Sequence, residues 1–366
     1  MQKKVLFLLF KRYRGILEGG GVVNQQNLKM ARDLFGEDNV KVVYVHDEYR
    51  RRSLWSYALA ILLFPFGYHN GVTPFFIRNI VAEAGEYDFV FLGTSLLGII
   101  AKKLRKAGYK GKIISYFHNV ESIYYDAVIP KHIPFRSVVI NCAKRNDGYS
   151  CKYSDRIIVL NNRDAGLIHN LHGRKPDVIM PVVMKDRLNV SCDTALTRKR
   201  PLCMFIGSCF PANSEGVLWF VKNVLPFVDI DFMVVGKGMA KLKSEYKCMK
   251  DIEVKSDVPD LGCYFYEADF MVLPIFSGSG MKIKTCEAMM YGKNIIGTDE
   301  TFEGYDVDYE KIGGKCNTAS EYIECIKRYI ENPVPRFNKY SRNVFLEHHS
   351  EEVVSNEFKS ALEFDD

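Results

Sequence analysis

The chain has 366 residues, 47% hydrophobic and 26% charged, with a formal net charge of +6. That length suits about two domains of ~100–200 residues each, and the apolar content excludes a disordered chain. The basic excess is small and scattered, so it does not mark a nucleic-acid-binding surface.

In chain order, Lys4–Phe10 reads as a first strand. Its apolar run is too short for a secretory leader and lacks a small-residue cleavage site. Val22–Phe35 reads as a helix and Val40–His46 as a strand. Leu54–Phe66 is nearly all apolar and follows Arg50-Arg51-Arg52. As a helix it reaches about 20 Å against about 30 Å of hydrocarbon, which argues against a span. It is either a core helix or a segment resting on an anionic membrane surface with Trp55 and Tyr57 at the interface. Strands follow at Phe89–Gly93, Lys112–His118, Arg156–Leu160 and Asp177–Val183. Helices lie between them at Leu96–Ala107, within Ile133–Tyr153 and around Asp164–Leu171. Strands alternating with helices argue for a parallel sheet covered on both faces.

The polar stretch Asp186–Arg200 reads as an interdomain linker. A second series then begins: strand Pro201–Gly207, helix Asn213–Phe227, strand Phe232–Gly236, helix Ala240–Tyr246, strand Ile252–Val254 and helix Leu261–Glu267. Strand Asp269–Ile275, a glycine loop, a helix and strand Lys293–Thr298 come next. Helix Thr318–Glu331, a break at Pro333 and Pro335, and helical turns over Ser341–Leu362 close the chain. The expected domains are therefore 1–185, a linker 186–200, 201–335, and a C-terminal segment 336–366. The architecture is two Rossmann-like, doubly wound α/β units, with ligands expected beyond the carboxyl ends of the strands, in the cleft between the units.

The most informative stretch runs from Phe276 to Gly292. Gly278-Ser279-Gly280 at a strand–helix junction lets the backbone approach a ligand and turn its N–H groups outward. Lys282 and Lys284 oppose the positive end of the helix dipole, a conflict that a bound diphosphate would reverse. Two residues apart, they cannot both face it. Glu287 stands one turn beyond Lys284, either as its surface ion partner or as a carboxylate that binds ribose hydroxyls. His118 ends a strand, where a histidine is either structural or part of a site. Lys102, Lys103, Arg105, Lys106, Lys110 and Lys112 form a basic stretch that is either a solvated helix face or a contact for an anionic membrane or lipid-diphosphate acceptor. The ten cysteines show no C-x-x-C pair and read as reduced, mostly buried thiols, which points to the cytosol.

Four motifs together resemble the retaining glycosyltransferases of the GT-B fold, in particular glycosyltransferase family 4. One covers Val258 to Gly304, with Gly278-Ser-Gly-Met-Lys-Ile-Lys284, Glu287-Ala-Met289 and Gly292. The others are Ile206-Gly-Ser-Cys-Phe-Pro-Ala-Asn213, Gly19-Gly-Gly21 and Phe117-His-Asn-Val-Glu121. The resemblance implies two units facing a central cleft, the C-terminal helix packing back on the N-terminal domain, and transfer of a sugar from a nucleotide sugar to an acceptor hydroxyl with retention of configuration.

It also implies site residues. Glu287 matches the second carboxylate of an E-x7-E pattern, the one that binds ribose; the first falls at Ser279, with the amides of Gly280 and Met281 available instead. Lys282 or Lys284 matches the cation that neutralises the leaving diphosphate. The arginine and lysine usual in the first loop of the second domain are missing, with Ser208 and Asn213 nearby, so the lysines carry more of that task. Gly20, Gly21, Gly207 and Asn213 fall on the donor side, and Val258 where the backbone contacts the base. His118 falls beside the reacting groups, and Asn119 and Glu121 on the acceptor side. No cofactor and no essential metal are expected, because no Asp-x-Asp cluster is placed at the cleft. The expected partners are a nucleotide-diphosphate sugar and a glycan or lipid-linked acceptor for surface polysaccharide or a related glycoconjugate. The expected location is cytoplasmic, with contact to the inner face of an anionic membrane. A sugar-nucleotide epimerase or hydrolase of the same fold, and a non-catalytic scaffold subunit, are the alternatives that the sequence leaves open.

Overall fold

A computed structural model describes residues 3–12, 19–49, 59, 62–69, 71–189, 199–250 and 252–362. The chain divides into two compact units, Met1–Pro181 with Ser355–Asp366, and Val182–Val354.

In the first unit the elements are β1 (Val5–Leu9), α1 (Gly19–Phe35), β2 (Val40–Tyr44), α2 (Val45–Tyr49), α3 (Pro74–Ala84), β3 (Phe89–Leu92), α4 (Gly98–Lys106), β4 (Lys112–Phe117), α5 (Glu121–Val128), α6 (Arg136–Tyr153), β5 (Arg156–Val159), α7 (Asn162–His172) and β6 (Val178–Ile179). The strands pair in the order β2-β1-β3-β4-β5-β6, all in parallel. Val5 stands opposite Val40 on one side and Phe89 on the other. Every residue of β1 and β3 is buried, as expected of strands covered on both faces. Phe358, near the C-terminus, belongs to this unit, its ring 6.0 Å from that of Phe91.

In the second unit they are β7 (Leu202–Ile206), α8 (Pro211–Asn223), β8 (Asp231–Gly236), α9 (Ala240–Glu245), β9 (Glu253–Ser256), α10 (Gly262–Glu267), β10 (Phe270–Leu273), α11 (Ile283–Met290), β11 (Ile295–Gly297), α12 (Tyr309–Ile312), β12 (Gly313–Lys315), α13 (Ala319–Glu331) and α14 (Lys339–His348). The last helix, α15 (Glu351–Leu362), ends within the first unit. The strand order β12-β11-β10-β7-β8-β9 reverses direction between β7 and β10. That switch point is where a doubly wound sheet opens a crevice for ligands. α8 lies hard against the end of β10, since a Cβ on Gly216 would come within 2.0 Å of the Pro274 carbonyl oxygen.

The alternation of elements follows the pattern read from the sequence, with specific differences. The strand expected over Val40–His46 stops at Tyr44 and turns into α2. The strand expected over Asp177–Val183 pairs only at Val178–Ile179, and Pro181 follows two residues on. α3 went unread although Thr73, which accepts from Phe76 N, and Pro74 mark its start. α5, α12 and β12 were also missed. β12 is Gly-Gly-Lys, a strand made by its pairing with β11 and not by propensity.

Arg50–Arg52, Trp55, Tyr57 and most of the apolar segment Leu54–Phe66 lie outside the described residues. Its described end is a 3₁₀ turn, Phe64–Phe66, closed by Gly67 in a left-handed conformation. Among the described residues no helix is long and apolar enough to cross a membrane.

Candidate functional site

In the second unit the chain leaves β7 at Gly207, loops to α8, and later leaves β10 through the glycine loop into α11. These are the two strands flanking the switch point. Gly278 and Gly280 both take positive φ, 151° and 62°, conformations that glycine adopts readily. The loop is braced from beneath by buried threonines. Thr298 donates to the Ile275 carbonyl, Thr301 to the Leu273 carbonyl, and Thr285 to the Thr301 carbonyl.

The two lysines separate in role-defining geometry. Lys282 lies just before α11 with an extended backbone. Its Nζ is 2.6 Å from Glu300 Oε1 and donates to the carbonyls of Gly280 at 2.9 Å and Ser279 at 3.3 Å. It ties the glycine loop to the segment after β11. Lys284, inside the first turn of α11, instead reaches the first turn of α8, where its ammonium donates to Asn213 Oδ1. It also lies over the Phe205 ring, 5.1 Å from the centroid. A Cβ at position 207 would stand 2.9 Å from Asn213 Nδ2 and 3.2 Å from Lys284 Nζ, so a side chain there would push against the Asn213 amide and the Lys284 ammonium. Burial, then the neighbouring Lys282 charge, pull the Lys284 ammonium down to a pKa of about 7. A cation so desolvated gains from an anionic ligand at this spot. Asn213 is itself held by donating from Nδ2 to the Ser208 carbonyl at 2.8 Å.

Glu287 is buried in the middle of α11. Its ion partner is Arg187, whose Nη2 is 3.4 Å from Oε1, and not Lys284 as the spacing allowed. Burial raises its carboxyl to about 7, with the Arg187 charge lowering it and Asp260 raising it. Val258 is half-buried and follows Asp257, which sits at φ 56° while its Oδ1 accepts from Gly238 N. Ser279 and Gly280 lie in the loop, and Met281 is buried behind it. Arg187 was missed, because in sequence it sits in a polar stretch that reads as linker. No local pattern announces that Asp186 pairs with Arg342 and that Asn189 N donates to Tyr266 at 2.6 Å.

In the first unit His118 follows β4, as expected. Its Nε2 is 2.9 Å from the Gly93 carbonyl oxygen and 3.1 Å from Asn24 Oδ1. A carbonyl only accepts, so Nε2 carries the proton. Burial lowers the imidazole to about 4, so it stays neutral near pH 7. Asn24 belongs to α1, whose first turn is Gly19-Gly20-Gly21; Gly20 is exposed and Gly21 buried. Asn119 is half-buried. Glu121, in the first turn of α5, is 6% exposed, and burial, with Asp147 and Asp164 nearby, raises its carboxyl to about 8. Asp147 accepts from Ser95 Oγ at 2.7 Å and from the Ser122 amide and hydroxyl, both at 3.0 Å, which ties α6 to the start of α4 and to α5.

Residues 200–332 match the family model described as glycosyl transferases group 1. No curated protein matches the chain in sequence. Whole-chain likeness appears among solved structures. HepE of Anabaena, solved in complex with UDP, superposes with a TM-score of 0.69 at 13% identity, covering 98% of this chain and 99% of HepE. Sucrose-phosphate synthase of Thermosynechococcus elongatus gives 0.74 at 14% identity, with 98% of each chain covered. The lipopolysaccharide outer core galactosyltransferase WaaB gives 0.64 at 12% identity, covering 98% of this chain and 99% of WaaB. Together, these comparisons give the chain the two-unit GT-B fold, with a second unit that resembles the group 1 glycosyl transferases.

Proposed function

We propose that this enzyme transfers a sugar from a nucleotide-diphosphate sugar to a hydroxyl of a glycan or lipid-linked glycan, with retention of configuration. The observation that carries the reading is the convergence of Gly207, Asn213, Lys284 and the Gly278–Gly280 loop at the β7–β10 switch point. HepE, which shares the fold, is solved with UDP and with UDP-glucose, which makes UDP-sugars the first donors to test.

In this reading Lys284 neutralises the diphosphate as the bond from the anomeric carbon to the phosphate oxygen breaks, with the glycine-loop amides around it. The acceptor oxygen bonds to the anomeric carbon on the same face, and its proton passes to the departing phosphate oxygen. No enzyme nucleophile is needed. Lys282 holds the loop, Glu287 accepts from the ribose hydroxyls, and the backbone at Val258 meets the base. His118 is neutral and spends its Nε2 proton on Gly93, so it positions and does not carry protons. Because Lys284 supplies the compensating charge, turnover should persist in a chelator.

The acceptor side of the reading is a surface polysaccharide or glycoconjugate carried at the inner face of a cell membrane. Leu62, Phe66 and Phe75 are exposed by 68%, 59% and 53%, apolar side chains suited to such a surface. The test is incubation with a panel of nucleotide sugars, with and without lipid-linked glycan acceptors, and analysis of the product's anomer. Donor breakdown or epimerisation without any acceptor product would replace transfer by one of those reactions.

A further inference from the structure

The ribose reading of Glu287 leaves Arg187 unassigned, and the geometry around it goes further. Residues 186–189 are fastened to the second unit at three places. Asp186 pairs with Arg342, which also donates to the Met290 carbonyl at the end of α11. Arg187 reaches Glu287 in the middle of α11. Asn189 N donates to the Tyr266 hydroxyl on α10. The short stretch therefore lies along one side of the Glu287 site, and Arg187 is the side chain by which it reaches that carboxylate.

The groups facing Glu287 make a cation necessary. Asp260, before α10, adds a second negative charge; Tyr291 on the turn after α11 and Cys286 beside it are the other titratable neighbours. A buried carboxyl such as Glu287, with a further negative charge nearby, is held towards its protonated form unless a cation compensates. Arg187 supplies it. Its side chain is 50% exposed while that of Glu287 is 11% exposed, so the guanidinium sits on the solvent side of the carboxylate.

We infer that Arg187 is a positioning residue of the donor site, holding Glu287 ionised and aligned so that it can accept from the ribose hydroxyls. The segment read from sequence as linker is in this account part of the nucleotide site. The inference rests on the assignment of Glu287 to the ribose.

The experiment is titration of the full chain with UDP across pH 5.5–9, for wild type, Arg187→Gln, Arg187→Lys and Glu287→Gln, with thermal unfolding of each. Arg187→Gln should weaken UDP about tenfold or more near pH 7, because the buried Glu287 carboxyl then takes up a proton and no longer accepts from the ribose. Its deficit relative to wild type should shrink as pH rises, because hydroxide then ionises Glu287 without the arginine's help. Arg187→Lys should restore most of the affinity. A loss that is the same at every pH, accompanied by a lower unfolding temperature, would show a merely structural role and overturn the inference. So would Arg187→Gln binding within twofold of wild type with the same pH midpoint while Glu287→Gln binds poorly. If Glu287→Gln binds like wild type, the ribose assignment itself fails.

Discussion

Lys284 on α11 donates a hydrogen bond to Asn213 on α8, a residue 71 positions earlier in the chain. This contact joins the two loops that flank the switch point and separates the two lysines that the sequence could not rank. Lys284→Ala should lower turnover by about 10²–10³, the loss typical of removing one stabilising donor. Lys282→Ala acts through the loop and should lower turnover by about tenfold. It also takes one partner from the Glu300 carboxylate, whose side chain is 16% exposed, and should reduce stability by about 1–3 kcal/mol. Steady-state kinetics and chemical denaturation of the two variants give both answers, and equal kinetic effects with unchanged stability would refute the division of roles.

The site titrates in two opposing directions. Lys284 is lowered to about 7, so its charged form, and with it attraction for a diphosphate, declines as pH rises through 7. Glu287 is raised to about 7, so its carboxylate, and with it ribose binding, grows as pH rises through the same range. A nucleoside without phosphate should bind more tightly at pH 8 than at pH 6. The extra affinity of its diphosphate should shrink over that interval, with proton uptake on binding. Calorimetry in two buffers of different ionisation enthalpy measures this; a diphosphate advantage that grows with pH speaks against Lys284 as the phosphate ligand.

How legible all this was depends on the range of the interactions. The places of the glycine loop, the lysines and His118 in the fold were readable because each sits at a strand–helix junction whose apolar flanks are local in sequence, and Glu287 follows one turn along the same helix. The pairing of Glu287 with Arg187 was not, because it spans 100 positions and starts from a stretch with no periodicity. β12 was invisible for a similar reason: Gly313, Gly314 and Lys315 carry no strand propensity, and only β11 makes them a strand. Glu121 was read as an acceptor contact from its motif alone. Sequence gave no sign that Asp147 and Asp164 lie close enough to raise its carboxyl.

That burial has its own consequence. Glu121 is raised from 4.5 to about 8, so the folded chain holds a proton that the unfolded chain has lost. The raised group favours the native state fully below pH 4.5 and ceases to do so as pH climbs towards 8. Glu121→Gln keeps the shape without the charge. Its unfolding temperature should match wild type at pH 5 and exceed it at pH 8. A variant less stable at pH 8 than at pH 5, relative to wild type, would mean that Glu121 is ionised in the native state.

Gly216 allows α8 to meet the end of β10. A Cβ there would sit 2.0 Å from a backbone oxygen that cannot rotate away. Gly216→Ala should destabilise the chain by about 1–3 kcal/mol, the usual range for overpacking, and should weaken nucleotide binding because it displaces the Asn213 turn. Denaturation and UDP titration of the same sample test both; normal binding with lowered stability would uncouple α8 from the site.

The central claim is that the β7–β10 switch point of the second unit holds a nucleoside diphosphate through Lys284. Titration calorimetry of UDP, and of the other nucleoside diphosphates, into wild type and Lys284→Ala at pH 6.5 tests it most directly. The account predicts saturable binding of one of them to wild type and a loss of about tenfold or more in the variant, whose unfolding temperature stays near that of wild type. Equal affinity in the two proteins, or no binding of any nucleoside diphosphate to wild type, would contradict it.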